Sequence, residues 1–236
     1  MNPSKVTVDL GVPTPYAESR SKMHRLKRRM TYRDILKHVS VKLCRFPQAS
    51  VLEVGTGSGF LLQILEDKYP EATIHGLEYD PRLVEITRSK LKRAQIVEGN
   101  AESFEIKTKF DVIVSSQVIE HLFHPESMLD CVHRHLKPGG IFVMTTPNLG
   151  CLSARVMGKK WHGYRSDHVA LKTFQQWVEF VESHGFTTRF AGSTFFSGIP
   201  ILNRFPLGLF NWALLLVFGS MRWSHGESFF GVFERK

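Results

Sequence analysis

The chain has 236 residues, of which 42% are hydrophobic and 22% charged, a composition typical of one globular domain with a substantial core. Its three cysteines have neither metal-site nor CxxC spacing, which argues against a disulfide framework and favours a reducing, cytoplasmic setting. The first 15 residues lack the apolar stretch of a signal peptide, and the formal net charge is +9.

The positive charge is concentrated near the N-terminus. Residues 20–45 hold ten Lys and Arg residues and one acid, Asp34, whereas the rest of the chain has 21 bases and 21 acids. Apolar residues recur there near helical spacing, which predicts an amphipathic helix with a basic face. We expect an N-terminal basic helical segment at 1–46 and the main domain at 47–236. The helix could be solvated and packed on that domain, or it could contact anionic lipid, an anionic substrate or nucleic acid.

From residue 50 the chain alternates short β-rich runs with helical patterns. Strands are predicted at residues 50–54, 73–78, 95–99, 110–116, 141–146, 187–193 and 228–236. Helices are predicted at residues 59–69, 81–92, 126–136 and 171–184. This alternation, with continuously apolar strands, predicts an open, mostly parallel α/β sheet.

Residues 196–223 do not follow this alternation of strands and helices. The stretch "FPLGLFNWALLLVFG" (205–219) is apolar but is interrupted by Gly208 and Asn211, and a membrane span needs about 20 apolar residues. Three interpretations remain open: a core helix, a lid over an apolar substrate, or a helix at a membrane interface. The aromatic residues that either line this region or pack as core are Phe195, Phe196, Phe205, Phe210, Trp212, Phe218 and Trp223.

A glycine-rich loop follows the first predicted strand, in "VLEVGTGSG" (51–59). Glycines allow positive φ angles and a close approach of ligand to backbone, and the following helix presents free N–H groups. The dinucleotide fingerprint GxGxxG is not met, because Phe60 stands at its third glycine. The loop therefore indicates a ligand site without defining the ligand. Its glycines are Gly55, Gly57 and Gly59.

Two carboxylates accompany the loop. Glu78 ends the next strand about 20 residues later, where a carboxylate can accept both hydroxyls of a ribose. Glu53 is unusual in a buried strand, where a charge needs a partner. It could receive an ammonium group, hydrogen-bond the loop, or be a satisfied strand-end residue. Together these residues indicate a ribose-bearing cofactor at the carboxyl ends of the strands.

Five stretches carry a resemblance to a known family. "VLEVGTGSG", "GLEYDP", "EGNAESF", "FDVIVSSQVIEHL" and "LKPGGIFVMTTPN" resemble, in order and spacing, class I S-adenosylmethionine-dependent methyltransferases over about residues 48–190. The "EHL" and "TTPN" variants are most similar to ubiquinone-biosynthesis O-methyltransferases and related small-molecule enzymes. The resemblance implies a seven-stranded, mostly parallel Rossmann-like sheet with an antiparallel last strand. To this are added the N-terminal basic helix and an apolar insertion at 196–223.

The resemblance also implies S-adenosylmethionine as cofactor and assigns its site residue by residue. The methionine moiety would be held by Glu53, Gly55, Thr56, Gly57 and Gly59. Glu78 would bind the ribose hydroxyls, and Tyr79 would pack on the adenine. The adenine edge would be contacted by Asn100, where many relatives have Asp, and by Ala101 and Glu102. The methionine carboxylate and amine would lie over Ser116 and Gln117.

The catalytic candidates are two histidines and a glutamate. A hydroxyl acceptor needs a base or a metal to remove its proton, and the candidates are Glu120 and His121 in "VIEHL" and His168 in "RSDHVAL". Glu120 and His121 could instead shape the pocket wall, and His168 could be structural. Gln117 stands where some ubiquinone-type relatives carry a metal-binding Glu, so no metal is predicted. His162 and Tyr164 are weaker candidates.

The favoured function is methyl transfer from S-adenosylmethionine to the oxygen of a small, apolar or lipid-like acceptor. One alternative is RNA or protein methylation, which the basic helix favours. Against it, "SSQV" replaces the [DN]-P-P-[YF] motif used for planar amino groups, and no nucleic-acid module is visible. Another is a non-catalytic S-adenosylmethionine-binding protein, which the intact glycine loop and Glu78 argue against. The basic helix and the apolar segment together suggest peripheral attachment to an anionic inner membrane face; the oligomeric state is not predicted.

Overall fold

A computed structural model describes residues 22–194 and 198–236. The first 21 residues of the predicted basic segment, and the predicted aromatic residues Phe195 and Phe196, lie outside the described residues. The helices are α1 (Lys22–Arg45), α2 (Phe60–Lys68), α3 (Pro81–Lys90), α4 (Pro125–His135), α5 (Leu152–Met157), α6 (Phe174–Glu182) and α7 (Leu207–Phe218), with 3₁₀ turns at Ile119–His121, Gly158–Lys160 and Pro200–Asn203. The strands are β1 (Ser50–Val54), β2 (Thr73–Glu78), β3 (Gln95–Glu98), β4 (Phe110–Ser116), β5 (Leu136–Pro147), β6 (Phe186–Thr194), β7 (Ser220–Met221) and β8 (Ser228–Arg235).

The strands form one sheet in the order β3-β2-β1-β4-β5-β8-β6-β7. Strands β1 to β5 are parallel, and β8 runs antiparallel to both β5 and β6. This confirms the predicted Rossmann-like α/β fold. The sheet has an eighth strand that was not predicted, because the two residues of β7 are too few to show the alternation of apolar and polar residues that indicates a strand. The strand order reverses between β1 and β4, and a crevice at the carboxyl ends of such strands is the usual ligand site.

Helices cover both faces of the sheet, which explains why its strands are continuously apolar. Along β1 the side chains alternate: Leu52 and Val54 join the core layer under α4 and α6, whereas Val51 joins the layer under α1 and α2. The basic helix α1 belongs to the second layer through Ile35, Val39 and Leu43, whose four-residue spacing places them on one helix face. The basic helix is therefore packed on the sheet.

Helix α7 is not a core helix. Its buried residues are Gly208, Asn211 and Leu215, which form one narrow stripe, while most of its apolar side chains are exposed. Among residues 22–194 and 198–236, none of the helices combines the length and the apolar character of a membrane span.

Candidate active site

The glycine loop between β1 and α2 has three left-handed residues, with φ angles of +77° at Gly55, +53° at Gly57 and +74° at Gly59. A Cβ at Gly55 would lie 2.3 Å from Cγ2 of Val118, so this position is closed by packing. A Cβ at Gly57 would have nothing within 4 Å. The loop is therefore packed at its start and open at Gly57, where a ligand can approach the backbone.

Glu78, at the end of β2, fixes the conformation of this loop. Its Oε2 accepts a hydrogen bond from the N–H of Gly57 at 2.7 Å, and its Oε1 accepts from the N–H groups of Tyr79 at 2.9 Å and Asp80 at 3.1 Å. The hydroxyl of Thr87 holds the other side of the loop by donating to the carbonyl of Gly57 at 2.9 Å. The carboxylate thus lies at the crevice and links β2 to the glycine loop.

Glu53 is a buried carboxyl group with an unused oxygen. The residue is 2% exposed, and its Oε2 has no hydrogen-bond partner among the described residues. Burial, and then the charge of Glu78, raise the pKa of Glu53 well above its usual range. A ligand ammonium would supply the missing donor and favour ionisation. The unused oxygen of Glu53 and the open side of Gly57 therefore fit a ligand that has cationic and polar groups, such as S-adenosylmethionine.

The other predicted cofactor residues lie along the same edge of the sheet. Tyr79 is exposed just after β2, and Ala101 is buried just after β3. Asn100 Oδ1 accepts from the N–H of Glu102 at 2.9 Å, and Glu102 Oε1 accepts from the N–H of His124 at 2.7 Å. Glu102 therefore uses one oxygen to tie the β3–β4 connection to the start of α4.

At the end of β4 the chain turns sharply. Gln117 has a φ angle of +58°, in the left-handed region that residues other than glycine seldom adopt. Its N–H donates to the carbonyl of Thr145 at 2.8 Å, and its side-chain amide lies 3.4 Å from Thr145 Oγ1. Ser116 Oγ is 2.9 Å from the same hydroxyl. Thr145 on β5 thus orients both predicted residues of this turn.

Two imidazoles and a carboxyl group meet beside this turn. The rings of His121 and His168 are 4.8 Å apart, nearly perpendicular, and one ligand atom from each of these and Glu120 lies within 4.8 Å of the others. His121 Nδ1 is 2.9 Å from the carbonyl of Asp167, and His168 Nδ1 is 2.8 Å from the carbonyl of Gly163. A carbonyl only accepts, so each Nδ1 carries the hydrogen and each Nε2 is unprotonated in the neutral ring. Burial lowers the pKa of His168.

The charged form of Glu120 is disfavoured by burial. The residue is fully buried; Oε2 accepts from the hydroxyl of Thr146 at 3.0 Å, and Oε1 has no partner within the described chain. Burial, above all, raises the pKa of Glu120 to about 8. Glu120 is thus a proton donor rather than the resting base. One carboxyl oxygen and two imidazole nitrogens are also a donor set that a transition-metal ion can bind, an alternative that the sequence did not favour.

The weaker candidates flank Gly163, whose carbonyl accepts from His168, but the contacts printed for their side chains are to other residues. His162 is 3.5 Å from the buried Glu227, and Tyr164 packs edge-on against Trp161 with ring centres 5.6 Å apart. Sequence reasoning missed two residues that support the cluster, Thr146 and Asp167. Thr146 lies in the "TTPN" motif and Asp167 directly precedes His168, but only the fold brings these two residues beside Glu120 and His121.

We expect Glu120→Gln to stabilise the ligand-free protein increasingly as pH rises. The pKa of Glu120 is raised from 4.5 to about 8, so its protonated form stabilises the fold fully below about pH 4.5, and that contribution is lost as pH rises towards 8. Glutamine stays neutral and still accepts from Thr146. Urea unfolding measures the free energy of unfolding of both proteins at pH 5 and at pH 9. The difference between variant and wild type should increase in favour of the variant by about 2–4 kcal/mol from pH 5 to pH 9. The exposed Glu71→Gln is the control, and an equal difference at both pH values would contradict the raised pKa.

A family model and several known proteins match this chain. The family described as "Methyltransferase domain" matches residues 23–189. The chain is 24% identical over 155 residues to the malonyl-(acyl-carrier protein) O-methyltransferase of Paenibacillus sp. (strain JDR-2), covering 60% of this chain and 56% of the relative. It is 34% identical over 115 residues to the mitochondrial ubiquinone biosynthesis O-methyltransferase of Mus musculus, covering 44% of this chain and 30% of the relative. The chain thus spans about half or less of the length of these curated relatives.

Solved structures show the same fold. The plantazolicin methyltransferase in complex with a triazolic desmethylPZN analogue and S-adenosylhomocysteine has a TM-score of 0.62 and 13% identity, covering 89% of this chain and 85% of that one. At this identity the likeness concerns the fold alone.

Proposed function

The chain belongs to the class I S-adenosylmethionine-dependent methyltransferases, and from this premise we propose that it methylates a hydroxyl oxygen of a small, apolar acceptor. The observation that carries the proposal is the pair of hydrogen bonds from Nδ1 of His121 and of His168 to backbone carbonyls, which leave each Nε2 without a hydrogen in the neutral ring. Val118, which fills the space next to Gly55, directly precedes the turn that holds Glu120 and His121. The cofactor loop and the imidazole cluster are therefore neighbours.

The cofactor residues have separate tasks in this proposal. S-adenosylmethionine supplies, when bound, an activated methyl group on a positively charged sulfur. Glu78 binds the ribose hydroxyls, Glu53 receives the ammonium group, and Tyr79 packs on the adenine. The residues that hold the remaining polar groups are Gly55, Thr56, Gly57, Gly59, Asn100, Ala101, Glu102, Ser116 and Gln117.

The imidazole cluster removes the proton of the acceptor. As the acceptor oxygen is methylated, Nε2 of His121 or His168 would take the hydroxyl proton. The hydrogen bonds from Nδ1 to the Asp167 and Gly163 carbonyls hold each ring in the required tautomer. The carboxyl group of Glu120 lies within the same cluster, and its Oε1, which has no partner among the described residues, can accept a hydrogen bond from the imidazolium that forms.

An apolar, lipid-like acceptor is supported by the exposed apolar residues of α7. The two relatives named above are O-methyltransferases by name, and one of them serves ubiquinone biosynthesis. We propose that this chain also methylates an oxygen atom and that it is related to the ubiquinone-type group. We further propose that the chain works in the cytoplasm, with residues 47–236 as the methyltransferase domain and residues 1–46 as a basic segment attached to it.

Methyl-tritiated S-adenosylmethionine tests the acceptor class. The protein is incubated with separated lipid, aqueous metabolite, RNA and protein fractions of a cell extract, and we expect label in an organic-extractable small molecule. Label in RNA or protein would support the alternative substrates. Cofactor binding without label in any fraction would support a non-catalytic role. The same assay in the presence of EDTA distinguishes an imidazole base from a bound metal ion. Turnover that survives EDTA supports the imidazole base, whereas turnover restored only by a divalent ion supports a metal.

A further inference from the structure

The outer face of α7 is apolar and exposed. Leu209, Phe210 and Val217 are 67%, 66% and 69% exposed, and none of the twelve residues of α7 carries a charge. A surface helix of a water-soluble domain normally turns charged residues outward. A large exposed apolar surface commonly marks an interaction site. The outer face of α7 therefore lacks the composition of a surface that contacts only water.

A basic groove lies between α1 and α2. Its volume is about 480 Å³, and the described residues that line it include four cations and no acid. The cations are Arg29, Arg33, Lys37 and Lys68. One buried carboxylate lies close by, Asp34, which is 3.3 Å from both Arg33 and Lys37. Four cations against one carboxylate leave the groove positively charged, with an apolar floor that includes Phe60 and Ile64.

The groove adjoins α7 directly. Arg33 lines the groove and donates from Nη1 to the carbonyl of Leu216 on α7 at 2.6 Å. Asp34 accepts from the N–H of Ser220, just after α7, at 2.7 Å. At its other end the groove reaches Phe60, which directly follows Gly59 of the cofactor loop. The basic–apolar face, defined as the groove residues and the exposed side of α7, thus extends from the cofactor loop to α7.

We propose that the basic–apolar face docks on an anionic lipid bilayer, with α7 lying in the plane of the interface and the groove cations against lipid phosphates. Twelve helical residues extend about 18 Å, which suits a helix parallel to the surface. Stable attachment generally requires two signals, and an apolar helix beside a cation cluster supplies both. A second copy of the chain would bring two sets of groove cations together, and RNA offers nothing to cover α7. The bilayer matches both halves of the face.

Docking would present the cofactor side of the groove to the membrane. The proposal goes beyond the methyl-transfer reaction and is tested by binding alone, so its failure leaves that reaction unaffected.

Vesicle flotation with the full chain provides the test. We expect co-flotation with vesicles of phosphatidylcholine containing 30% phosphatidylglycerol at low salt, and at least about tenfold weaker partitioning to pure phosphatidylcholine. Leu209→Glu with Val217→Glu, and separately Arg29→Glu with Lys68→Glu, should each weaken partitioning by at least about tenfold. All four side chains are exposed, and circular dichroism checks that the variants fold.

Matched controls carry the same chemical changes elsewhere. Ile86→Glu with Val156→Glu places two acids on exposed apolar positions of α3 and α5, and Lys92→Glu with Lys107→Glu makes the same charge change at other exposed positions. We expect both controls to float like the wild type. The proposal is overturned by any of four results: no flotation of the wild type, equal loss in the controls, RNA binding without vesicle binding, or a dimer that Leu209→Glu with Val217→Glu dissociates while flotation persists.

Discussion

Glu78→Gln is expected to weaken S-adenosylmethionine binding about 100-fold, a loss of roughly 3 kcal/mol that is typical of removing charge-assisted hydrogen bonds in a partly buried site. The carboxylate is fixed by N–H groups of Gly57, Tyr79 and Asp80, so it is held ready for the ribose hydroxyls. An amide would turn an NH₂ group towards N–H donors and disturb the loop as well. Calorimetric titration with S-adenosylmethionine measures the effect.

The control for this substitution is Glu71→Gln, which makes the same chemical change at an exposed position between α2 and β2. It should leave the affinity unchanged. Because Glu78 also holds the loop, thermal unfolding of both variants must be compared, and a folded Glu78→Gln protein is required. If that folded variant binds S-adenosylmethionine like the wild type, Glu78 is not a cofactor ligand.

Replacing both His121 and His168 with Asn is expected to reduce turnover by about 100- to 10,000-fold, the usual contribution of a positioned base, while cofactor affinity stays within about twofold. The two Nε2 atoms are the unprotonated nitrogens of the cluster, and asparagine removes them while retaining polar groups. Single-turnover rates and calorimetry, measured separately on each single variant and on the double variant, divide catalysis from binding.

The single variants assign the base. A large loss in His121→Asn with near-normal turnover in His168→Asn would make His121 the base, and the reverse would make it His168. His225→Asn, at an exposed position outside the cluster, should have no effect. Normal turnover in the double variant would eliminate the imidazole mechanism.

The sheet and the cofactor loop were predictable because their signals are local. The apolar run of β1, the three glycines and the carboxylate of Glu78 fall within one strand–loop–helix–strand unit. The class of the fold followed from repetition of that unit. Helix ends were predicted to within a few residues; α6 begins later than predicted because Thr173 forms a capping box with Gln176.

The parts that were not predictable depend on contacts between distant residues. His121 and His168 are 47 positions apart and meet only because the loop before α6 folds back over the turn after β4. The protonated state of Glu120 depends on complete burial, which no local pattern reveals. An apolar helix such as α7 has the same sequence whether it is buried or exposed, so its exposed face required the structure.

A structure of the protein with S-adenosylhomocysteine tests the central claim most directly, because it locates the sulfur relative to the imidazole cluster. We predict that the ribose hydroxyls lie on Glu78 and that the sulfur faces Nε2 of His121 or His168 at about 7 Å or less. That separation accommodates one methyl group and one acceptor oxygen within hydrogen-bonding reach of the base. A sulfur that faces away from both histidines, or a ligand bound elsewhere than the crevice between β1 and β4, would contradict the account.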